Sequence, residues 1–219
     1  MTLDPMTIVF AVVAIFVVWR LWSVLGTGAP TQRPPMQSPV GRGGEVIDVT
    51  PQPAPSPAER WKGVAEPGSA LEQGLDAIAA GDPGFDARHF LDGARAAYEM
   101  IINAFAAGDV EALRGLLAPE PLANFTREIA ARQAAGRRMV VTLVSLDAAE
   151  IVAAGARNGL AQITVRFASK MNSATTDAKG AVVEGSATEV ADHIDVWTFE
   201  RPLASRNPNW LLAATEAHH

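Results

Sequence analysis

Apolar residues are laid along this chain in three different ways. From Met6 to Leu25 they form one nearly unbroken run, MTIVFAVVAIFVVWRLWSVL, in which Arg20 is the single charge. From Gly26 to Pro83 they are scattered among 10 of the 15 prolines. Beyond Pro83 they become periodic. FDARHFLDGARAAYEMIINAFAAGD repeats every three to four residues, so Phe90, Ala94, Tyr98, Ile101, Ile102 and Phe105 form one helical stripe. Gly108 and Asp109 end that helix and start the next, VEALRGLLA, and PEPLANFTREIAARQAAG supplies a third with its prolines in the first turn. After Arg138 the period falls to two: MVVTLVSL, which the segment around Ile151 extends or follows, then LAQITVRFASKM, DVWTFERP and NWLLAAT read as strands. The stretch 172–189 reads as a loop containing the turn DAKG, and Arg206–Asn209 reads as a second turn. Helices followed by antiparallel strands predict an α+β fold, with the helices covering one face of a curved sheet.

The first run is long enough to cross a hydrocarbon core of about 30 Å. Nine strongly apolar residues between Ile8 and Val18 favour insertion by roughly 3–5 kcal/mol, and Trp19, Arg20 and Trp22 suit the interface. A cleaved signal peptide needs a basic start, which MTLDP lacks, although Gly26–Ala29 resembles a weak cleavage site. A buried soluble helix would need a polar face. The reading is therefore a retained anchor, with the bilayer contacted through Met6–Leu25. Arg20 lies near the end of the run, Arg33 and Arg42 follow it and no Lys or Arg precedes it, which places the remainder in the cytoplasm. The organisation is a tail (1–5), a transmembrane helix (6–25), a Pro-rich linker (26–83) with a short helix near 70–80, and a domain (84–219). In SALEQGLDAIAAGDP, Ser69 and Glu72 form a capping box, and Leu71, Leu75 and Ile78 share a face that should dock on the domain. Trp61 reads as a recognition element or an incidental exposed ring.

Composition removes several chemistries. A net charge of −6, from 18 basic and 24 acidic residues, excludes a basic nucleic-acid face. The absence of cysteine excludes disulfides, thiol nucleophiles and Cys-ligated metal. No two of His89, His193, His218 and His219 have the i, i+4 spacing of a helical metal pair, and there is no Gly-rich phosphate loop. Arg127, Arg132, Arg137 and Arg138 fan around a helix as a solvated surface. For acid–base catalysis the candidates are Tyr98, His193 and Asp195, each weighed against an ordinary core or strand-end role. The expectation is no catalytic residue, no cofactor and no metal. What remains is aromatic: Phe90, Tyr98, Phe105, Phe167, Trp197 and Trp210 as core and as the lining of an apolar pocket or partner surface.

The stretches FDARHFLDGARAAYEMIINAFAAGDVEALRGLLA, ITVRFAS, the DxWTFxR of Asp195–Arg201, and NPNWLLAAT resemble the bacterial TimA group, relatives of the C-terminal domain of mitochondrial Tim-forty-four. The resemblance implies helices on a bent antiparallel sheet that encloses an apolar pocket, a cone like that of nuclear transport factor two. It also implies a non-catalytic adaptor in a bacterial inner membrane, with a translocase, insertase or chaperone as protein partner. Family members touch membranes through basic first helices. Here Asp86, Arg88, Asp92, Arg95 and Glu99 sum to −1, so that attraction is weak. A single span before a cone domain also resembles the periplasmic assembly subunits of type IV secretion, the alternative reading beside a cone-fold enzyme.

Overall fold

The computed structural model describes residues 60–218, with side chains through Glu216; the anchor Met6–Leu25 and the linker up to residue 59 lie outside the described residues. No helix among the described residues is long and apolar enough to cross a membrane. The elements run α1 (Ala70–Gly81), α2 (Ala87–Ala107), α3 (Val110–Arg114), α4 (Pro119–Ala134), β1 (Arg138–Arg157), β2 (Leu160–Thr176), β3 (Val182–Pro202) and β4 (Leu211–His218). The strands pair in sequence order as one open antiparallel sheet, on which the helices pack.

Local chemistry accounts for the helix ends. Ser69 Oγ accepts from Glu72 N at 3.1 Å, and the Glu72 carboxylate reaches back to Gly68 N at 2.5 Å, one residue further than a standard capping box. Asp86 caps α2 through His89 N, and Gly108, at φ 75°, closes it in the left-handed conformation that a Cβ disfavours. Asp109 then caps α3 through Ala112 N at 3.0 Å.

The core lies between α2 and the inner face of the sheet. Phe90, Ala94, Tyr98 and Ile101 are buried along the helix, and Ala161, Ile163, Val165 and Phe167 along β2. Ring contacts link the layers: Tyr98 stacks on Phe167 at 4.5 Å, and Phe90 meets Phe199 edge-on at 6.0 Å. Three register shifts in the β1–β2 ladder, between Leu143 and Ser145, Leu146 and Ala148, and Ile151 and Ala153, each insert one extra residue into β1 and bend it. The short helix α1 docks as expected, burying Leu75 and Ile78. It packs so closely on β1 that a Cβ at Gly74 would lie 1.9 Å from the Ala154 carbonyl oxygen. At the other edge, Ala118 N donates to Leu212 O and Leu212 N to Leu116 O, both at 2.8 Å, which covers part of β4.

Two expectations need correction. Trp61 is neither exposed nor free; it is 1% exposed, its indole N–H donates to Asp76 at 2.8 Å, and it packs against Phe85. A buried indole needs an acceptor for its N–H, and Asp76 of α1 supplies it. The stretch 172–189 is not a loop either. β2 and β3 continue through it as an arm closed by the turn Asp177–Ala181, where Asp177 Oδ1 accepts from Lys179 N and Ala181 N. Pairing with β1 and β2 makes these residues strands, although most side chains of Val182–Val190 are exposed.

Candidate functional site

The six aromatics expected at a pocket are divided among three places. Tyr98, Phe167 and Trp197 form a closed cluster at the centre, with Trp197 4.7 Å from Tyr98 and 5.7 Å from Phe167. Phe90 and Trp210 line a groove of about 570 Å³. Phe105 lines a separate cavity of about 760 Å³ beside the arm.

At the centre, the Tyr98 hydroxyl donates to Asp195 Oδ2 at 2.7 Å and lies 2.9 Å from Ser169 Oγ. α2 brings the phenol down on β2 and β3, where Ser169 and Asp195 sit on the inner face of adjacent strands. Asp195 was expected near a solvated strand end, but it is half-buried and held by this phenol. Burial raises the Tyr98 pKa well above its ordinary value; the Ser169 hydrogen bond opposes the rise, and Asp195 adds to it. The phenol is therefore a fixed donor and not a base. None of the three residues lines either cavity.

The groove follows one face of α2 through Asp86, Phe90, Gly93, Ala97 and Met100 and is walled opposite by Leu116 and the Pro208–Trp210 turn. Phe85, Phe90 and Trp210 form its aromatic floor, with Trp210 4.9 Å from Phe90 and 6.0 Å from Phe85. At its end Arg201 pairs with Asp82, the residue after α1, and its guanidinium lies 5.0 Å over the Trp210 ring. The pair is largely buried, with side chains 11% and 25% exposed, and ties α1 to the end of β3. Among the described residues Arg201 Nε is buried without an acceptor.

The cavity beside the arm lies between the C-terminal part of α4 and the inner face of the sheet, with Met139, Met171, Glu184 and His193 on its strand side. His193 is half-buried there. Arg132, expected as part of a solvated surface, instead donates to Phe105 O at 2.6 Å and Ala106 O at 3.1 Å, capping the end of α2 from a neighbouring helix. Its guanidinium also sits 5.0 Å over the Phe105 ring. Phe85 and Ser169, which the sequence pattern did not single out, and Arg132 and Arg201, to which it gave no site role, complete all three places. For Arg132 a signal existed: α2 carries no basic residue in its own last turn to meet its free carbonyls. Among the described residues no group of His, Asp and Glu is arranged to hold a metal ion.

No curated protein matches the chain. A solved structure similar to it is the crystal structure of the intermembrane space region of the chloroplast protein ARC6, at 15% identity, with 62% of this chain and 98% of that chain covered and a TM-score of 0.44. The family model described as the Tim44-like domain matches residues 71–217, from α1 through β4. Such domains are generally non-catalytic binding domains. By that match, which takes in α1, the α2 stripe and all four strands, the chain belongs to the Tim44-like domain family.

Proposed function

We propose that this protein is a membrane-anchored, non-enzymatic adaptor. Met6–Leu25 tethers it to a bacterial inner membrane, and the domain faces the cytoplasm. It binds a protein partner of the translocase, insertase or chaperone class through its aromatic groove. One observation carries this reading: Phe85, Phe90 and the half-buried Trp210 line a groove, whereas neither Tyr98 nor Asp195 lines that groove or the cavity beside the arm. An acid–base enzyme would present the ionisable pair to a substrate and bury the rings. A partner-binding module presents rings and small residues and keeps its polar pair for orientation.

Partner cross-linking in native membranes tests this, with the folded fraction read by protease resistance. Asp195→Asn and His193→Gln keep shape while removing a proton-transfer group, and both should keep cross-links and cellular phenotype. An enzyme using either group would lose about 10²–10⁴-fold in rate. A folded Asp195→Asn protein that keeps its cross-links and loses its phenotype would overturn the adaptor reading. A reporter fused after His219 should be active in the cytoplasm; activity only on the other side would move the domain to the periplasm.

A further inference from the structure

The sheet has two outer strands, and they are finished differently. β4 is covered in part by the Leu116–Ala118 segment, through Ala118 N to Leu212 O and Leu212 N to Leu116 O. β1 meets α1 near Ala154, where a Cβ at Gly74 would lie 1.9 Å from the Ala154 carbonyl oxygen. Ahead of that point, no strand among the described residues lies beyond Arg138–Leu146. Such an edge offers amides and carbonyls in the plane of the sheet. It pairs with another strand unless charge, proline or a bulge prevents it.

Little prevents it here. Arg138–Leu143 pairs with β2 without a register shift, and MVVTLVSL, residues 139–146, contains no charge, proline or glycine. Val140 and Val144, 61% and 55% exposed, are the two most exposed large apolar side chains among the described residues. Charge brackets this strip, with Arg138 at its start and Asp147 just past its end, both exposed. Among the described residues Arg138 has no ion pair. Asp147 has only a distant share of Lys170, at 3.7 Å, which Asp192 holds at 2.5 Å. An antiparallel strand of identical sequence reverses the order, so each basic start meets an acidic end and the uncharged strip meets itself. The unpaired edge of the β3 arm behaves otherwise. It carries Glu184, Glu189 and Asp192 with no Lys or Arg, so pairing with its own copy would set acid against acid.

We propose that a second copy of this chain docks on the N-terminal half of β1, joining the two sheets across a twofold axis at Thr142. Val140 of each copy then lies beside Val144 of the other. Arg138 of each lies beside the other's Leu146–Ala148 bulge, which carries Asp147. Facing β-branched residues and facing opposite charges both stabilise an antiparallel pair. No residue of β1 lines the aromatic groove, so the dimer leaves both grooves open and does not rest on the adaptor reading.

The absence of cysteine permits a direct test in the full-length protein. Under mild oxidation Thr142→Cys, whose two copies share the axis, should link two chains about 10-fold faster than Val183→Cys on the exposed arm, because a disulfide needs its Cβ atoms within about 4.5 Å. Val140→Cys mixed with Val144→Cys should likewise link faster than either protein alone. Sedimentation in detergent should show a dimer. Arg138→Glu and Asp147→Lys should each weaken that dimer roughly 10-fold, since two cross-strand pairs turn repulsive, and the double variant should restore it. The rescue separates pairing from misfolding, because a folding defect in either single variant would persist in the double. A monomer at every concentration, linkage at Val183 as fast as at Thr142, or a double variant no better than the singles would overturn the proposal. So would slow amide exchange of Met139–Leu146 in a monomer, since something other than a second copy would then cover the edge.

Discussion

The two halves of β2 and β3 are built from the same ladder yet obey different rules. In Leu160–Met171 every second residue is buried, from Ala161 to Met171, and opposite it Trp197 and Phe199 are buried in β3. In the arm formed by Asn172–Thr176 and Val182–Val190, exposure replaces alternation on β3, and Val182, Val183 and Val190 are each about half exposed (53%, 46% and 47%). α2 lies over the first half, and the arm extends past that cover. A strand therefore carries a period-two signature only where another layer makes one face dry. Where none does, backbone pairing alone makes the strand. The arm's ladder is also irregular: Met171 pairs with Ala191 but Ser173 pairs with Ser186, so Ala187–Val190 are set opposite the single residue Asn172. Gly185, at φ 72°, is required where a Cβ would lie 2.1 Å from Ser173 O.

Substitutions can sharpen this contrast. The largest effect belongs on the covered side. Trp61→Ala removes a ring that is 1% exposed and should lower unfolding free energy by about 3–5 kcal/mol in denaturant titration. A loss below about 1 kcal/mol would mean that the residues before α1 do not belong to the core.

Next comes the polar pair at the centre. Tyr98→Phe keeps the stacked ring and leaves Ser169 and Asp195 without the phenol, for an expected loss of about 1–3 kcal/mol. The same residue gives a pH test. Its folded pKa is raised, so below the ordinary tyrosine value of about 10 both states are neutral and stability is complete. Above that pH the unfolded chain ionises first and stability falls. Tyr98 is the only tyrosine in the sequence, so phenolate absorbance reports it alone. The absorbance should stay absent from the folded protein past pH 10 and appear on unfolding.

Glycines on two helices make a sharper pair. Gly→Ala within a helix normally stabilises by about 0.5–1 kcal/mol. Gly74→Ala should reverse that sign, costing roughly 1–2 kcal/mol net because α1 must move off the Ala154 carbonyl. Gly93→Ala, facing open space, should follow the normal sign in thermal unfolding. The smallest effect is on the arm. Val182→Thr should change stability by less than about 0.5 kcal/mol, and a larger loss would show that the arm has a packing partner.

Much of the architecture was already present in local chemistry. The α2 stripe, the Asp86, Gly108 and Asp109 boundaries, the Ser69–Glu72 cap and the alternation of Leu160–Met171 each depend on residues a few positions apart, so neighbours alone determine them. The resemblance to the family carried by Asp195–Arg201 and the α2 segment likewise depends on local sequence alone. Only the tertiary structure decided the rest, because the remaining interactions join residues far apart in sequence. Trp61 became core when Asp76 and Phe85 met it. Arg132 became a cap for a helix that ends 25 or more positions earlier in the chain. Tyr98 on α2 met Asp195 on the inner face of β3 and holds that half-buried carboxylate, which the sequence left at a solvated strand end. The six aromatics look equivalent along the chain, and their division into a sealed centre, a groove and a cavity depends on which face another layer covers. Periodicity specifies which residues share a face; what that face meets is a property of the folded chain.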